Sequence, residues 1–248
     1  MATTTSPMPG PEPQATISPF GRILGALFNP KKTFTDVAAR PSWIVPMALL
    51  TVLSLAVTVL VVQKVDWHSF MEKQLAKNPR TENLPADQKE NVINAQAKFA
   101  PVIAYGIGAA GPILGTLLIA LIYWLAFNLF AGAGLKYGTA FGITSHAFVP
   151  SAIASILALV TLALKAKGDV DPENLLASSV NSYLSEDAPR WLHVLGTSVE
   201  LFWIWCLVLL VIGFAAANPK KIKPGTAFGI VFGLWILWVL VKVGWAAL

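Results

Sequence analysis

The stretch APVIAYGIGAAGPILGTLLIALIYWLAFNLFAGAGL, residues 100–135, carries no charged side chain over its whole length. A bilayer needs roughly 20 apolar residues for each helix that crosses it, so this stretch is long enough to span a membrane. The chain as a whole is 55% apolar and only 12% charged, far from the soluble average. The excess apolar residues are concentrated in stretches of this kind.

Four further stretches have the same character. Residues 43–62 have no ionisable side chain, while residues 137–164, 191–217 and 225–248 are long apolar runs with isolated ionisable residues inside them. Helices of a soluble bundle would need a polar face, and membrane β-strands would alternate polar and apolar residues. Neither pattern occurs, so the sequence predicts an all-α integral membrane protein, a five-helix transmembrane bundle. The spans are predicted at residues 43–62, 102–130, 142–164, 193–216 and 226–247.

The chain is predicted to form one membrane domain, residues 18–248, after a disordered tail of residues 1–17 that is rich in Pro, Thr and Ser. The domain begins with two short N-terminal interfacial amphipathic helices. Phe20, Leu24 and Phe28 recur at helical spacing in the first, and Asn29 and Pro30 are typical of the start of the second. Membrane-surface binding and packing against the spans are both open for this pair.

The segments between spans differ in character. Residues 65–99 carry charges of both signs and predict two short helices outside the membrane, whereas residues 168–189 are acidic and predicted to be partly helical. Because Lys and Arg near spans favour the cytoplasm, we expect the N-terminus to be cytoplasmic. The basic residues on that side are Arg22, Lys31, Lys32, Arg40, Lys136, Lys220, Lys221 and Lys223.

The hexapeptide GTAFGI occurs twice, at residues 138–143 and 225–230, each time with a lysine two residues ahead. Each copy precedes a predicted span. The repeat predicts that helix pair 2-3 and helix pair 4-5 are related as a pseudo-repeat, an arrangement that transporters use and that also arises by simple duplication.

Three strings carry a resemblance to a known family. They are FGRILGALFNPKKTFTDVAARPSWIVP at residues 20–46, GTAFGITSHAFVPSAIAS at residues 138–155 and ELFWIW at residues 200–205. With these strings the chain resembles bacterial members of the Yip1 domain family from about residue 18 onward. The resemblance implies a five-span protein of the bacterial inner (cytoplasmic) membrane. Eukaryotic relatives bind small GTPases, but their Asp-Leu-Tyr-Gly-Pro motif is missing, so the resemblance does not imply GTPase binding here.

Glu200 is the first candidate functional residue, because a carboxylate inside a span costs about 2.5 to 3.5 kcal/mol on insertion scales. Lys242 is its expected partner, since both residues are predicted to lie in the outer half of neighbouring spans. This intramembrane polar pair could be structural, with Lys242 reaching the interface, or could serve transport or proton relay.

A second polar contact is predicted between helices near the cytoplasmic side, at Asn128 and His146. The glycine-rich run in the second span is predicted to serve helix packing rather than nucleotide binding, because it lies inside an apolar span. Its packing residues are Gly106, Gly108, Gly111, Pro112 and Gly115.

The sequence offers no catalytic set, no cysteine pair and no histidine cluster for a metal, so we expect no enzyme activity, no cofactor and no metal. The net charge of +5 is diffuse and does not indicate nucleic acid. The expected partners are the lipid bilayer and membrane proteins, including copies of the chain itself. The first functional hypothesis is a non-catalytic membrane scaffold or adaptor, and the alternative is a small-solute, ion or proton transporter or channel that uses Glu200.

Overall fold

The computed structural model describes residues 17–76, 81, 83–185 and 187–247. Helices dominate these residues, and the only β pairing among them is one isolated antiparallel bridge between Ser179 and Glu200. The predicted tail falls outside the described residues except for Ile17. The α-helices are α1 Pro19–Phe28, α2 Pro30–Ala39, α3 Ile44–Lys64, α4 Trp67–Ala76, α5 Ala86–Ala131, α6 Tyr137–Ala147, α7 Pro150–Leu164, α8 Arg190–Ser198, α9 Leu201–Ala217 and α10 Pro224–Ala247, with a 3₁₀ turn at Val180–Tyr183.

Four segments are long and apolar enough to cross a bilayer: Ile44–Lys64, Ala86–Ala131, Tyr137–Leu164 and Pro224–Ala247. Large apolar side chains are exposed along them, including Val102, Ile107, Leu118, Val160, Leu237 and Val241. Soluble monomers rarely expose contiguous apolar surface of this extent, whereas lipid covers it without cost. The predicted membrane-embedded helical bundle is therefore confirmed in this coarser form.

The fourth predicted span, residues 193–216, is not one helix. It is divided between α8 and α9, and the chain is extended at Val199 and Glu200. The break occurs because Glu200 caps α9, while backbone groups of residues 178–180 pair with the interrupted chain. α9 alone has 17 residues and is about 26 Å long at 1.5 Å per residue.

Helix α5 also differs from expectation. Its 46 residues form one helix of about 69 Å, so the second of the two predicted extramembrane helices is continuous with the span. Pro101 and Pro112 lie inside this helix. Neighbouring helices and side chains can satisfy backbone groups that a proline frees in a spanning helix. Close to the second proline, Thr116 donates its hydroxyl to the Pro112 carbonyl at 2.6 Å.

The main core lies where α2, α5, α6 and α9 meet. Phe127 and Phe214 stack there with ring centroids 4.3 Å apart, and Phe34 is fully buried beside them. Gly213 permits this approach, because a Cβ there would stand 2.5 Å from Ile143 Cγ2 and 2.9 Å from Phe34 Cδ1. The N-terminal helices are thus packed into the bundle and not merely laid on the membrane.

The two ends of the bundle have distinct contents. One end of the bundle, which we call the hairpin face, is formed by α1, α2 and the connections 132–136 and 218–223. Hydrogen bonds from Asn218 to Ala133 O and from Lys221 to Gly132 O join the two connections. The loop face is the opposite end, formed by α4 and residues 165–189. Lys64 joins the parts of the loop face, since its Nζ donates to the carbonyls of Leu162 and Lys165.

The two GTAFGI copies begin helices α6 and α10, so both have the same local structure. Their surroundings differ. The first copy and the residues that follow it are buried over residues 140–150, whereas Phe228 of the second copy is exposed. A pseudo-symmetric relation between the helix pairs remains a prediction.

Candidate functional site: a polar cleft at a broken helix

Glu200 lies at the break between α8 and α9, where it is the N-cap of α9. Its Oε1 accepts the Phe202 N–H at 3.1 Å and its Oε2 accepts the Trp203 N–H at 2.7 Å. The first N–H groups of a helix lack partners within the helix, and a side-chain oxygen at the N-cap satisfies them. The carboxylate is thus held in place by backbone donors.

Residues 178–180 supply the other partners at the break. The Val180 N–H donates to the Val199 carbonyl at 3.1 Å, and the Leu201 N–H donates to the Ser178 carbonyl at 3.0 Å. The same segment contacts α8 closely, since a Cβ on Gly196 would stand 2.9 Å from the Asn181 nitrogen. The connection between α7 and α8 therefore returns to the bundle and is fixed there.

The break lies near the loop face of the bundle. Lys242 of α10 donates to the Ser198 hydroxyl at 3.1 Å, and Lys242 is 18 residues beyond Pro224. At 1.5 Å per residue, this places the junction about 27 Å along α10 from its first residue. Inside the hydrocarbon layer of a bilayer, non-helical backbone is tolerated only where protein buries it or where it lines a water-filled cavity.

A cleft of about 410 Å³ opens at this junction. Its walls come from α3, α7, the returning segment and the α8–α9 junction, and small polar side chains are frequent among them. The lining residues that matter below are Ser54, Thr58, Ser155, Glu173, Thr197 and Glu200. The cleft brings the carboxylate of Glu200 together with hydroxyl groups of three other helices.

Three of these hydroxyl groups donate their proton to a backbone carbonyl of their own helix. Thr58 donates to Ser54 O, Ser155 to Ser151 O and Thr197 to Val194 O, each at 2.9 Å. A hydroxyl whose proton is bound to its own helix offers only lone pairs to anything else. These three groups consequently present acceptors to the cleft, while the Asn174 amide and the hydroxyls of Ser54, Ser178 and Ser179 are further polar groups of its lining.

Glu200 and Lys242 approach the same junction without forming an ion pair. The ion pairs among the described residues are Arg22 with Asp36, Arg40 with Asp36, and His68 with Glu90. Lys242 bonds instead to Ser198, two residues before Glu200. A direct pair is therefore replaced by two neighbouring contacts, one at each side of the break.

A second polar cluster, which we call the hairpin lock, lies at the hairpin face. Arg22 contacts the Asp36 carboxylate with Nε at 2.7 Å and donates through NH1 to Arg40 O at 3.0 Å and to Ser42 Oγ at 2.6 Å. Burial alone would raise the pKa of the Asp36 carboxyl, but the hydrogen bonds and charges of Arg40 and Arg22 outweigh it and hold that pKa below the usual 3.8. The lock ties α1 and α2 to the start of α3.

Asn128 and His146 are not brought together in the hydrogen-bond network. Asn128 closes the turn after α5, donating to Leu135 O at 3.1 Å and accepting from Leu135 N at 2.8 Å. His146 is fully buried in α6, where its Nδ1 is 2.8 Å from Gly142 O and its Nε2 has no hydrogen-bond partner among the described residues. Each residue serves its own segment.

Of the glycine-rich run, one residue lies at a contact between helices of the described chain. A Cβ on Gly108 would overlap the Thr58 hydroxyl of α3. Positions Gly106 and Gly115 have no described atom of another element within 4 Å of a Cβ, and Gly111 meets only Ile107 of its own helix. A packing role for these three glycines is still a prediction.

Sequence reasoning did not identify the hairpin lock or the polar cleft. Arg22 was predicted only to be one of the basic residues on the cytoplasmic side; its position off the stripe of Phe20 and Leu24 was the available signal for burial against α2. The cleft hydroxyls give no signal in hydropathy, because Ser and Thr are ordinary in spanning helices. Within the described ranges, no group of three His, Cys, Asp or Glu side chains is placed to hold a metal ion.

Comparison with known proteins gives one match. A model of the Yip1 domain family matches residues 24–246, which is most of the chain. No curated protein and no solved structure matches it.

Proposed function

The chain belongs to the Yip1 domain family, and from that premise we propose that it is a non-catalytic scaffold or adaptor of the bacterial inner membrane. In this proposal the N-terminus is cytoplasmic, so the hairpin face is the cytoplasmic end. The chain crosses the bilayer five times, with α8 and α9 together forming the fourth crossing.

The observation that carries the proposal is the dry packing between the cleft and the hairpin face. On α9, below Glu200, the side chains of Cys206, Leu207, Leu210 and Phe214 are all almost completely buried. Phe127 of α5 closes the same layer against Phe214. A transport path from the cleft would have to pass this apolar layer, which favours a static bundle.

The buried polar side chains of α6 support the same interpretation. Thr144 donates to Ala140 O at 2.9 Å and Ser145 donates to Phe141 O at 2.7 Å. Their hydroxyl protons are bound within their own helix, so these two side chains have no proton to donate to a moving solute.

Two surfaces are available to partners. At the hairpin face, α1 exposes a row of apolar side chains whose extreme is Phe28, 82% exposed, next to the basic residues Lys31 and Lys32. At the loop face, residues 86–99 of α5 extend about 21 Å before its apolar part begins. We call residues 86–99 the α5 arm. The hairpin lock and the continuous helix hold both surfaces rigidly on the bundle.

Site-specific photocrosslinking in living cells tests the proposal. A photoreactive amino acid replaces Lys32 at the hairpin face, Gln88 in the α5 arm, or Val241 on the exposed side of α10 as a lipid-facing control. We expect a discrete adduct of fixed mass from position 32 or 88 and none from position 241. Absence of any discrete adduct at both surface positions contradicts a scaffold or adaptor.

A second candidate, transport, is favoured by the interrupted fourth crossing and its polar cleft, since discontinuous helices surround the substrate sites of many transporters. Solute and proton flux into liposomes separates the two. A scaffold leaves flux at the level of protein-free liposomes. Flux that is present in the wild type and lost in Glu200→Gln would establish the transport alternative.

A further inference from the structure

We propose that the cleft at the α8–α9 break binds a primary ammonium group, carried either by a lipid headgroup or by a free amine. The site is formed by the Glu200 carboxylate together with the hydroxyl oxygens of Thr58, Ser155 and Thr197. This inference does not rest on the scaffold proposal, because binding and flux are measured separately.

The acceptors around Glu200 favour a hydrogen-bond donor as the ligand. The three hydroxyl protons are bound to helix carbonyls, so these groups present lone pairs. Each carboxylate oxygen of Glu200 accepts one backbone N–H, and an ionised carboxylate has about four acceptor sites, so about two are left for a ligand. A primary ammonium group supplies three N–H donors and no acceptor, which fits this lining.

The charge of the cleft selects a cation. Its described lining residues include the two acids Glu173 and Glu200 and no Lys, Arg or His. The N-terminus of α9 opposes a cation with a partial charge of roughly +0.5, which is smaller than the full negative charge of Glu200. Because Glu200 is partly buried, solvent screens its charge less than at an exposed surface.

The described lining also discriminates between kinds of ammonium. Quaternary ammonium groups have no N–H donor, and proteins recognise them with aromatic side chains arranged around the cation. No Phe, Trp or Tyr is present among the described lining residues. Ethanolamine should therefore bind and choline should not, although both carry one positive charge.

Position and size fit both sources of the group. Thr58 is 14 residues beyond Ile44 and Lys242 is 18 residues beyond Pro224, so the cleft lies about 21 to 27 Å from the hairpin face. That is close to the headgroup level of the far leaflet of a layer about 30 Å thick. A volume of about 410 Å³ admits an ethanolamine group with its neighbouring phosphate or water.

The test uses the full chain in nanodiscs of phosphatidylglycerol, which carries no amine. Tritiated ethanolamine is bound to the protein and displaced by unlabelled ethanolamine or choline. In parallel, native mass spectrometry measures which lipid is retained from an equimolar mixture of phosphatidylethanolamine, phosphatidylcholine and phosphatidylglycerol. The variants are Glu200→Gln and Ser155→Ala in the cleft and Glu90→Gln in the α5 arm as a carboxylate control.

We expect saturable ethanolamine binding or selective retention of phosphatidylethanolamine, with no displacement by choline. Glu200→Gln should weaken binding about tenfold or more and Ser155→Ala about threefold, in line with charged and neutral hydrogen bonds. Glu90→Gln should bind within about twofold of the wild type, as expected for a residue outside the site. Ser155→Ala keeps the test valid if Glu200→Gln folds poorly, because its hydroxyl contacts only its own helix.

The arms separate the sources of the ammonium group. Retention of phosphatidylethanolamine without binding of free ethanolamine assigns the site to a lipid, and the reverse result assigns it to a soluble amine. Equal competition by choline, cleft variants that bind like the wild type, or absence of binding in both arms overturns the proposal. Ethanolamine flux into liposomes would reject the scaffold function and leave the site standing.

Discussion

Arg22 of α1 and Asp36 of α2 lie 14 residues apart and are joined by two contacts, from Nε and from NH2 to Oδ2, both at 2.7 Å. The side chains are only 7% and 10% exposed. The pair closes the turn between two short helices that would be marginal on their own. Together with the bonds to Arg40 O and Ser42 Oγ, four contacts of the hairpin lock thus depend on one guanidinium group.

Replacement of Arg22 by alanine should destabilise the protein by about 3 kcal/mol, because it breaks a buried pair and leaves the Asp36 carboxylate with only the more exposed Arg40. The free energy of unfolding in mixed detergent micelles measures this. Arg40→Ala is the matched control: Arg40 also pairs with Asp36 but is 46% exposed, and exposed pairs contribute about 0 to 1 kcal/mol. Equal losses in both variants would contradict the central place of Arg22.

The hairpin lock should give stability a pH dependence at acidic pH. The pKa of Asp36 is lowered in the folded protein from 3.8, so its contribution is complete above that value and is lost as the pH falls through the folded pKa. Unfolding free energies measured between neutral and strongly acidic pH should show this loss. The slope should be reduced in Asp36→Asn, and an unchanged slope in that variant would assign the effect to other carboxyls.

Gly213→Ala should cost about 1 to 3 kcal/mol, since the new methyl group would overpack the contact between α9, Ile143 and Phe34. The control is Gly233→Ala in α10, where no described atom lies within 4 Å of the new Cβ. The control should be neutral or slightly stabilised, because alanine is the better helix former. The thermal midpoints of the two variants in detergent give the comparison.

Gly108→Ala should separate α3 from α5, because its methyl group would overlap Thr58, and the expected cost is again about 1 to 3 kcal/mol. Gly115→Ala in the same helix has free space within the described chain and should leave the monomer unchanged. Should Gly115→Ala instead reduce self-association in a membrane dimerisation assay, the predicted packing role of that glycine would apply between copies.

The proposed orientation can be tested with single cysteines. Cys206 is buried, so an impermeant maleimide should leave the wild type unlabelled in intact cells. In cells with a permeabilised outer membrane, Lys165→Cys at the loop face should react and Lys31→Cys at the hairpin face should react only after lysis. The opposite labelling pattern would invert the topology.

Hydropathy predicted the membrane class and the approximate positions of α3, α7 and α10 because lipid imposes a simple requirement on length and polarity. The predicted start of α2 is also confirmed, with Asn29 as the N-cap and Pro30 as the first residue. These features depend on local sequence, and local rules were sufficient for them.

The break at Glu200 depends on tertiary partners and escaped the same rules. The mean hydropathy of residues 193–216 does not distinguish one helix from two. Only Val199 and Glu200 lie outside the helices in this range. The segment that pairs with the break, residues 178–180, lies about 20 residues before Glu200 in the sequence and has no apolar pattern. The sequence analysis therefore gave Glu200 the side chain of Lys242 as its partner, whereas the structure gives it the backbone N–H groups of α9.

Because α5 is one continuous helix, its N-terminal end is held at a fixed distance from the bundle. Helices of the length usual in spanning segments end where the bilayer ends, but this one continues for about 21 Å in residues 86–99 without a joint. Whatever rests on the tip of the α5 arm is held at a set distance above the lipid surface, as by a spacer. Inserting four residues into the arm should raise that distance by about 6 Å and rotate the tip by roughly one turn.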